Sequence, residues 1–147
     1  PFTPILVPRS DLIETKCQKL YMSSIKKYQL NPILSDERGL FFEVLNNVQI
    51  SHVIVTTFKK NAVRGNQYRN KMDQYFFLIS GKLKLITKNP DLPDDKKVTE
   101  MTQGTMVFIP RGIAFVAKAI EESSLLELSP QHFDPKNPDI NKFNIDI

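Results

Sequence analysis

The sequence is poor in several features that would define its class at once. Its one cysteine, Cys17, has no partner for an internal disulfide or for a thiolate zinc site. No apolar run approaches the roughly 20 residues that span a bilayer, and no stretch has the pattern of a signal peptide. The formal net charge is +4, and the basic residues are scattered through polar turns, as at Lys59–Lys60 and Lys96–Lys97. We therefore expect a cytoplasmic protein that binds neither membrane nor nucleic acid.

Hydrophobic and charged residues are present in the proportions of an ordinary globular domain. They make up 41% and 24% of the chain, which argues against disorder. A chain of 147 residues is the size of one domain and buries roughly two thirds of its unfolded surface. One folded domain is the expectation.

The first residues differ in character from the rest. PFTPILVPRS carries three prolines and no periodicity, which is typical of an extended arm. After Ser10, a candidate N-cap, apolar residues recur at helical spacing and predict a short amphipathic helix, although the later half is equally compatible with a first strand. These residues are Ile13, Cys17, Leu20, Tyr21, Ile25 and Tyr28. We assign 1–24 to an N-terminal arm or short helix and 25–147 to the domain.

From Gly39 onward the sequence is a succession of short apolar runs separated by turn residues. The predicted strands are GLFFEVL (39–45), QISHVIVTTF (49–58), a strand ending near Arg69, QYFFLIS (74–80), KLKLIT (82–87), KVTEM, TMVFIP, AFVAKAI and SLLEL. Ser80–Gly81 is interpreted as the turn of a hairpin that joins the runs 74–80 and 82–87. Many short strands without alternating helices predict an all-β sandwich or barrel.

Two spaced motifs resemble those of a known family. GTMVFIPRGIAF (104–115) fits the second cupin motif, G-x5-P-x-G-x2-H, with Phe115 at the position of the histidine. Gln67, Arg69, Gln74 and Gly81 fall on the spacing of the first cupin motif, H-x-H-x4-E-x6-G, where only the glycine is kept. The retained glycines and proline suit tight turns, because glycine adopts positive φ and proline fixes φ. The resemblance implies an all-β cupin (jelly-roll) barrel.

Within the cupins, the chain is most similar to nucleotide-sugar epimerases and ketoisomerases. DERGLFFEVL (36–45) resembles the D-x-R-G-x-x-x-E segment of the dTDP-4-dehydrorhamnose 3,5-epimerases. RGNQYRNKMDQ (64–74) is similar to the R-G-x-H-x-H-K-x-x-x-Q of dTDP-sugar 3,4-ketoisomerases and to the R-G-N-H-x-H of the cupin domain of capsular-polysaccharide reductase-epimerases. FDPKNPD (133–139) also resembles this last group.

The resemblance implies a barrel pocket that binds a nucleotide diphosphate sugar with a keto group. Carried over by position, it places the catalytic positions at Gln67 and Arg69 and the ligand contacts at Arg38, Glu43, Arg64, Gln74 and Phe115. Guanidinium groups pair well with phosphate oxygens, although a loop arginine that bridges strands explains Arg38 equally well. Cupins of this type are typically homodimers, so we expect a homodimer with Phe41, Phe42 and the N-terminal arm at its interface.

The replaced histidines remove half of the chemistry that the family implies. Epimerisation beside a carbonyl needs a base and an acid, each commonly worth about 10²- to 10⁴-fold in rate. Gln67 has no titratable proton near neutrality, and Arg69 stabilises an oxyanion but is no base. Neutral amides are also weak ligands for a metal ion, and a fixed cation repels it. We therefore expect no metal and no cofactor.

Other candidate bases are predicted to lie outside the pocket. Strand alternation turns Tyr68, Asp73 and Tyr75 outward. His52 is interpreted as a packed or interface residue, because the family register turns its neighbours toward the pocket instead, namely Ser51, Val53, Val55 and Thr57. His132 is interpreted as a surface residue of the proline-bounded tail.

Two functions of different classes remain open at this stage. The first is a divergent epimerase or isomerase of nucleotide-linked keto-deoxysugars in surface polysaccharide or deoxysugar synthesis. The second is a non-catalytic nucleotide-sugar-binding or partner subunit with the same fold.

Overall fold

The computed structural model describes residues 24–147, and all regular structure in this range is β. The strands are β1 (Lys26–Gln29), β2 (Leu34–Asp36), β3 (Gly39–Phe41), β4 (His52–Phe58), β5 (Val63–Tyr68), β6 (Gln74–Ser80), β7 (Lys82–Lys88), β8 (Lys97–Thr102), β9 (Thr105–Ile109), β10 (Ala114–Ala119), β11 (Ser123–Ser129) and β12 (Asn141–Lys142). The helix predicted after Ser10 lies outside the described residues, apart from its last positions, which form β1. Within 24–147 there is no long apolar helix of the kind that crosses a membrane.

The strands form two five-stranded antiparallel sheets and a small ribbon. The first sheet has the order β1-β9-β6-β11-β4, the second has the order β12-β5-β10-β7-β8, and β2 pairs with β3. Consecutive strands often belong to opposite sheets, which is the arrangement of a jelly roll. The predicted all-β jelly-roll fold is confirmed.

The main core lies between the two sheets. Strand alternation sends every second side chain inward, and the buried interior cluster takes residues from both sheets, among them Phe58, Phe76, Leu85 and Phe115. Phe76 and Phe115 meet edge to face, with their ring centroids 5.0 Å apart. The interior is therefore a packed core over most of its length, and a site has room only where this packing ends.

The outer faces of both sheets are covered by irregular chain. Residues from the stretch 30–50, including Phe42 and Val44, pack on the outside of the first sheet. Phe143 and Ile145 pack on the outside of the second sheet. The strand predicted over 39–45 is consequently too long, because it ends at Phe41 and the following residues lie against the sheet as side-chain packing.

The predicted hairpin at Ser80–Gly81 is wrong. β6 is hydrogen-bonded to β9 and β11, whereas β7 is hydrogen-bonded to β8 and β10, so the turn carries the chain from one sheet to the other. Gly81 has φ +91°, and a Cβ at this position would lie 2.2 Å from Ser123 Oγ and 2.3 Å from the Glu122 carbonyl oxygen. The Ser80–Gly81 sequence correctly predicted a turn with a positive φ. It could not predict the pairing, because β6 takes its hydrogen-bond partners from β9 and β11, which are distant in sequence.

Candidate functional site

The four altered motif positions face the interior of the barrel. Phe115 belongs to the interior cluster, and Gln67 is its direct cross-strand partner, so the two side chains share a face. Arg69 and Gln74 are each only 8% exposed, and both line one pocket at the end of the barrel. The inward orientation is confirmed, but the pocket takes in only Arg69 and Gln74 of the four.

This pocket lies where β4, β6 and β11 begin or end beside the end of β5. Its polar lining consists of His52, Arg69, Gln74, Glu127 and Ser129. It encloses about 10 Å³, which is about the space that one water molecule needs. The pocket in this conformation is therefore small.

The register predicted for β4 is wrong. His52 and Ile54 line the pocket, while Val53 and Val55 are turned outward and are 58% and 64% exposed. β11 fixes this orientation, because His52 pairs with Ser129 and Ile54 pairs with Glu127. A shift of one residue exchanges the two faces of a strand. His52 therefore lies in the pocket and not on the far side of its strand.

Glu127 is the pocket residue that sequence reasoning missed. It accepts a hydrogen bond from the Thr56 hydroxyl on the neighbouring strand. Burial raises its pKa above the ordinary 4.5, and the Thr56 hydrogen bond and the charges of Arg69, Arg64 and His52 offset only part of this rise. Its position in SSLLELS could have identified it. Glu127 is two residues after the buried Leu125 and therefore lies on the same, inner face of the strand.

Arg69 lies beside Glu127 at the end of β5, and one of its donors is buried without a partner. Its Nη1 donates to the Pro138 carbonyl oxygen at 2.7 Å, and its guanidinium lies 5.7 Å from the centroid of the Phe133 ring. Its Nε is the one buried side-chain nitrogen or oxygen in residues 24–147 with no hydrogen-bond partner. Burial lowers the pKa of Arg69, and the nearby carboxylates of Asp139 and Glu127 act against this.

A segment that we call the C-terminal strap, residues 131–142, lies against the pocket residues. Phe133 stacks on His52, with ring centroids 4.9 Å apart and planes 10° apart. Asp139 accepts hydrogen bonds from the amides of Asn70 at 3.0 Å and Lys71 at 2.7 Å. The strap thus brings an aromatic ring between His52 and Arg69 and helps to make the pocket small.

Of the candidate bases predicted to point outward, Tyr75 and Tyr68 do so, and Asp73 is buried. Tyr75 packs in the cluster on the outside of the first sheet, where burial raises its pKa. Tyr68 packs on the outside of the second sheet. Asp73 is held by Arg111, whose amide and guanidinium donate to it at 2.9–3.2 Å. His132 is exposed, as predicted.

The other predicted ligand contacts lie away from the pocket. Arg38 is exposed in the β2–β3 turn and forms an ion pair with Asp36 at 2.6 Å, and Glu43 lies in the irregular stretch after β3. Arg64 shares the inner side of Ala117 because of a bulge between Arg64 and Gln67. It is exposed, its guanidinium lies 5.5 Å from the Phe58 ring centroid, and its Nη2 donates to the Thr57 carbonyl oxygen at 3.3 Å. Arg38, Glu43 and Arg64 keep their predicted ligand roles as proposals.

The donors of the pocket do not form a metal-binding set. Among residues 24–147 there is no group of three His, Cys, Asp or Glu side chains placed to hold a metal ion. The pocket combines one carboxyl group, one imidazole and one guanidinium. Such a set can hold a polar ligand and move a proton.

Comparison with known proteins identifies the family. The cupin family model matches residues 40–141, and the chain belongs to the cupin family. No curated protein matches the sequence. Among solved structures, the dTDP-4-dehydrorhamnose 3,5-epimerase from Sulfolobus tokodaii is similar, with a TM-score of 0.69 and 20% identity over 84% of this chain and 79% of that chain.

Two further structures share the fold. The sugar 3,4-ketoisomerase QdtA from Thermoanaerobacterium thermosaccharolyticum, solved in complex with TDP, has a TM-score of 0.67 and 20% identity over 79% of this chain and 85% of that chain. The capsular polysaccharide assembling protein CapF from Staphylococcus aureus has a TM-score of 0.57 and 22% identity over 80% of this chain and 33% of that longer chain. At these identities the likeness establishes the fold, and function has to be argued from the pocket.

Proposed function

We propose that this chain is a divergent nucleotide-sugar epimerase or isomerase of deoxysugar or surface polysaccharide synthesis, and that its substrate is a nucleotide-linked keto-deoxysugar. One observation carries the proposal. Arg69 lines the pocket and its Nε is buried without an acceptor, and a buried donor left unpaired costs about 1–3 kcal/mol. A ligand oxygen that accepts this hydrogen bond would recover that cost.

A keto oxygen fits this donor chemically. When a proton leaves the carbon beside a ketone, negative charge develops on the oxygen, and a fixed N–H donor in a site shielded from water stabilises that charge. Arg69 stays protonated at any working pH and therefore donates throughout the reaction. The resemblance to enzymes of 4-keto sugars supports the same class of substrate.

The size of the pocket limits how such a substrate binds. The pocket encloses only about 10 Å³ in this conformation, so it has to widen to take a sugar ring, and the nucleotide lies outside it. Arg64 is exposed on β5, five positions before Arg69 in the chain, and its guanidinium is available to phosphate oxygens. We further propose that the protein acts in the cytoplasm, where nucleotide sugars serve as soluble substrates.

A non-catalytic role is the second candidate, and the packing of Phe133 favours it. This ring stacks on His52 and approaches Arg69, so two of the polar pocket residues are partly occupied by the protein itself. A binding or partner subunit would retain the ligand site and make no use of proton transfer.

Solvent deuterium exchange separates the two candidates. The protein is incubated with dTDP-4-keto-6-deoxyglucose in deuterated buffer, deuterium at C3 and C5 of the sugar is followed by NMR, and binding is measured by calorimetry. Exchange well above the rate without protein supports the enzyme. Binding without exchange supports the partner subunit, and the absence of both overturns a nucleotide-sugar function.

A further inference from the structure

Glu127 occupies the place in the pocket from which a proton can be moved. On β11 it lies opposite Ile54 of β4 and Phe76 of β6, two residues of the barrel interior, so its side chain is directed inward between two apolar neighbours. It lines the same pocket as Arg69. The geometry points to Glu127 as the catalytic base of this cupin, with Arg69 Nε as the donor to the substrate oxygen; this assignment rests on the proposed function.

Elimination of the other groups supports the assignment. The motif positions supply Gln67 and Arg69, neither of which accepts a proton near neutrality. Asp73 is bound to Arg111 and is not part of the lining of the pocket. Of the residues that the structure describes, Glu127 is the one carboxyl group in the lining of the pocket, and His52 is the one imidazole.

His52 is the weaker candidate because its ring is already engaged. The imidazole is stacked on Phe133, which fixes the plane of its ring and therefore the directions in which its nitrogens can accept a proton. Its positive form lowers the pKa of Glu127, which makes it an electrostatic neighbour of the carboxyl group. Arg69 and Arg64 from the β5 segment act in the same direction.

The proton-transfer step is balanced within the pocket and the substrate. The Glu127 carboxylate removes a proton from the carbon beside the ketone, and the electron pair of that C–H bond forms the C=C bond of an enolate. The carbonyl π pair moves to the oxygen, which accepts the hydrogen bond from Arg69 Nε. The Glu127 carboxyl group then returns a proton, or a deuteron after exchange with solvent, to the same face of that carbon, which is the exchange that the experiment follows; inversion takes its proton from water on the opposite face. No oxidant or reductant is needed.

Replacement of Glu127→Gln tests the assignment, because glutamine keeps the shape of the side chain and removes the proton acceptor. We expect deuterium exchange into dTDP-4-keto-6-deoxyglucose to fall by about 10²-fold or more, while the dissociation constant for the sugar nucleotide changes less than about threefold. Glu100→Gln is the matched control, since Glu100 is an exposed strand glutamate whose side chain is 67% accessible. It should exchange at the wild-type rate.

The outcomes distinguish the two proposals. Wild-type protein without exchange overturns the proposed function and the assignment with it. Exchange that persists in Glu127→Gln overturns the assignment alone and leaves an epimerase or isomerase with a different base.

A second variant covers the case in which Glu127→Gln does not fold. The Thr56 hydroxyl lowers the pKa of Glu127, so Thr56→Val, which is nearly isosteric, should raise that pKa. The acid limb of the exchange rate should then move to higher pH in Thr56→Val. A limb that stays in place shows that Glu127 is not the base.

Discussion

At the scale of single residues, the pocket is governed by a buried cation and a partly buried carboxyl group that line it together. The charge of Arg69 and the charge of Glu127 each partly offset the effect of burial on the pKa of the other.

Replacement of Arg69→Met should show this coupling. Loss of the cation removes an influence that lowers the pKa of Glu127, so this pKa should rise further above its ordinary value. The affinity for a keto-sugar nucleotide should fall by about tenfold or more, or roughly 1.4 kcal/mol. The Glu127 pKa is measured by ¹³C NMR of the labelled carboxyl group and the affinity by calorimetry. An unchanged pKa would contradict the shared pocket.

At the scale of elements, the crossing at Gly81 is the most constrained turn of the barrel. It combines a positive φ with close contact to Glu122 and Ser123. Gly112 offers a matched comparison, since its φ is +87° and a Cβ there would meet nothing within 4 Å.

Gly112→Ala should therefore cost only the backbone strain of about 1–2 kcal/mol. Gly81→Ala should add an overpacking cost of about 1–3 kcal/mol. Urea denaturation of the two variants measures the difference in the free energy of unfolding. Equal losses would show that the crossing tolerates a side chain and that sheet pairing, not this contact, sets the turn.

One attachment of the C-terminal strap is the carboxylate of Asp139, which accepts hydrogen bonds from the amides of Asn70 and Lys71. Burial raises the pKa of Asp139, but the hydrogen bonds from Asn70, Lys71 and Asn141 and the charge of Arg69 lower it by more, so the net pKa lies below the ordinary 3.8. A lowered pKa means stability that is present above pH 3.8 and is lost as the pH falls through the folded value.

Asp139→Asn should therefore destabilise the protein by about 1 kcal/mol at neutral pH, and the difference from wild type should shrink in acid below the folded pKa. Asparagine tolerates the positive φ of 51° found at this residue. Urea titrations at neutral pH and near pH 3 check the trend, with Asp146→Asn, at an exposed residue near the end of the chain, as the control. A difference that is the same at both pH values would show that the carboxylate charge does not hold the strap.

The positions of the strands were easier to predict from the sequence than the strands with which they pair. β6 coincides with the predicted run 74–80, because its apolar residues are continuous and are bounded by turn residues. Its partners β9 and β11 were not predictable, since ladder choice depends on contacts far apart in sequence. The register of β4 failed for a related reason: Val53 and Val55 are as apolar as Ile54 and Phe58, so alternation did not distinguish the two faces. Glu127 was missed because motif spacing gave no reason to examine the last long strand.

At the scale of the whole molecule, the predicted homodimer remains a proposal to which the structure adds detail. Phe41 is 62% exposed, and its cross-strand partner Leu34 is 46% exposed, so the ribbon offers an apolar surface to a second copy. Phe42, in contrast, meets Phe77 edge to face at 5.6 Å and belongs to the packing of its own protomer. The two adjacent phenylalanines are thus expected to have different roles.

Phe41→Ser should raise the dimer dissociation constant by about tenfold or more and leave the fold intact. Phe42→Ser should instead lower the free energy of unfolding by about 1–3 kcal/mol. Light scattering and urea denaturation measure the two effects. A wild-type protein that is monomeric at micromolar concentration would contradict the dimer.

The two attachments of the strap determine how the pocket can admit a substrate. Gln131 accepts a hydrogen bond from the amide of Asp73 at 2.8 Å, and Asp139 accepts hydrogen bonds from the amides of Asn70 and Lys71. Phe133 therefore lies in a short span of chain that is attached at both ends. If a sugar binds in this pocket as proposed, its entry would need the span between these attachments to move Phe133 away from His52. The pairing of β12 with β5 lies beyond this span and would remain intact while the span moves. Opening of the pocket would therefore leave the hydrogen bonds of the sheet unbroken.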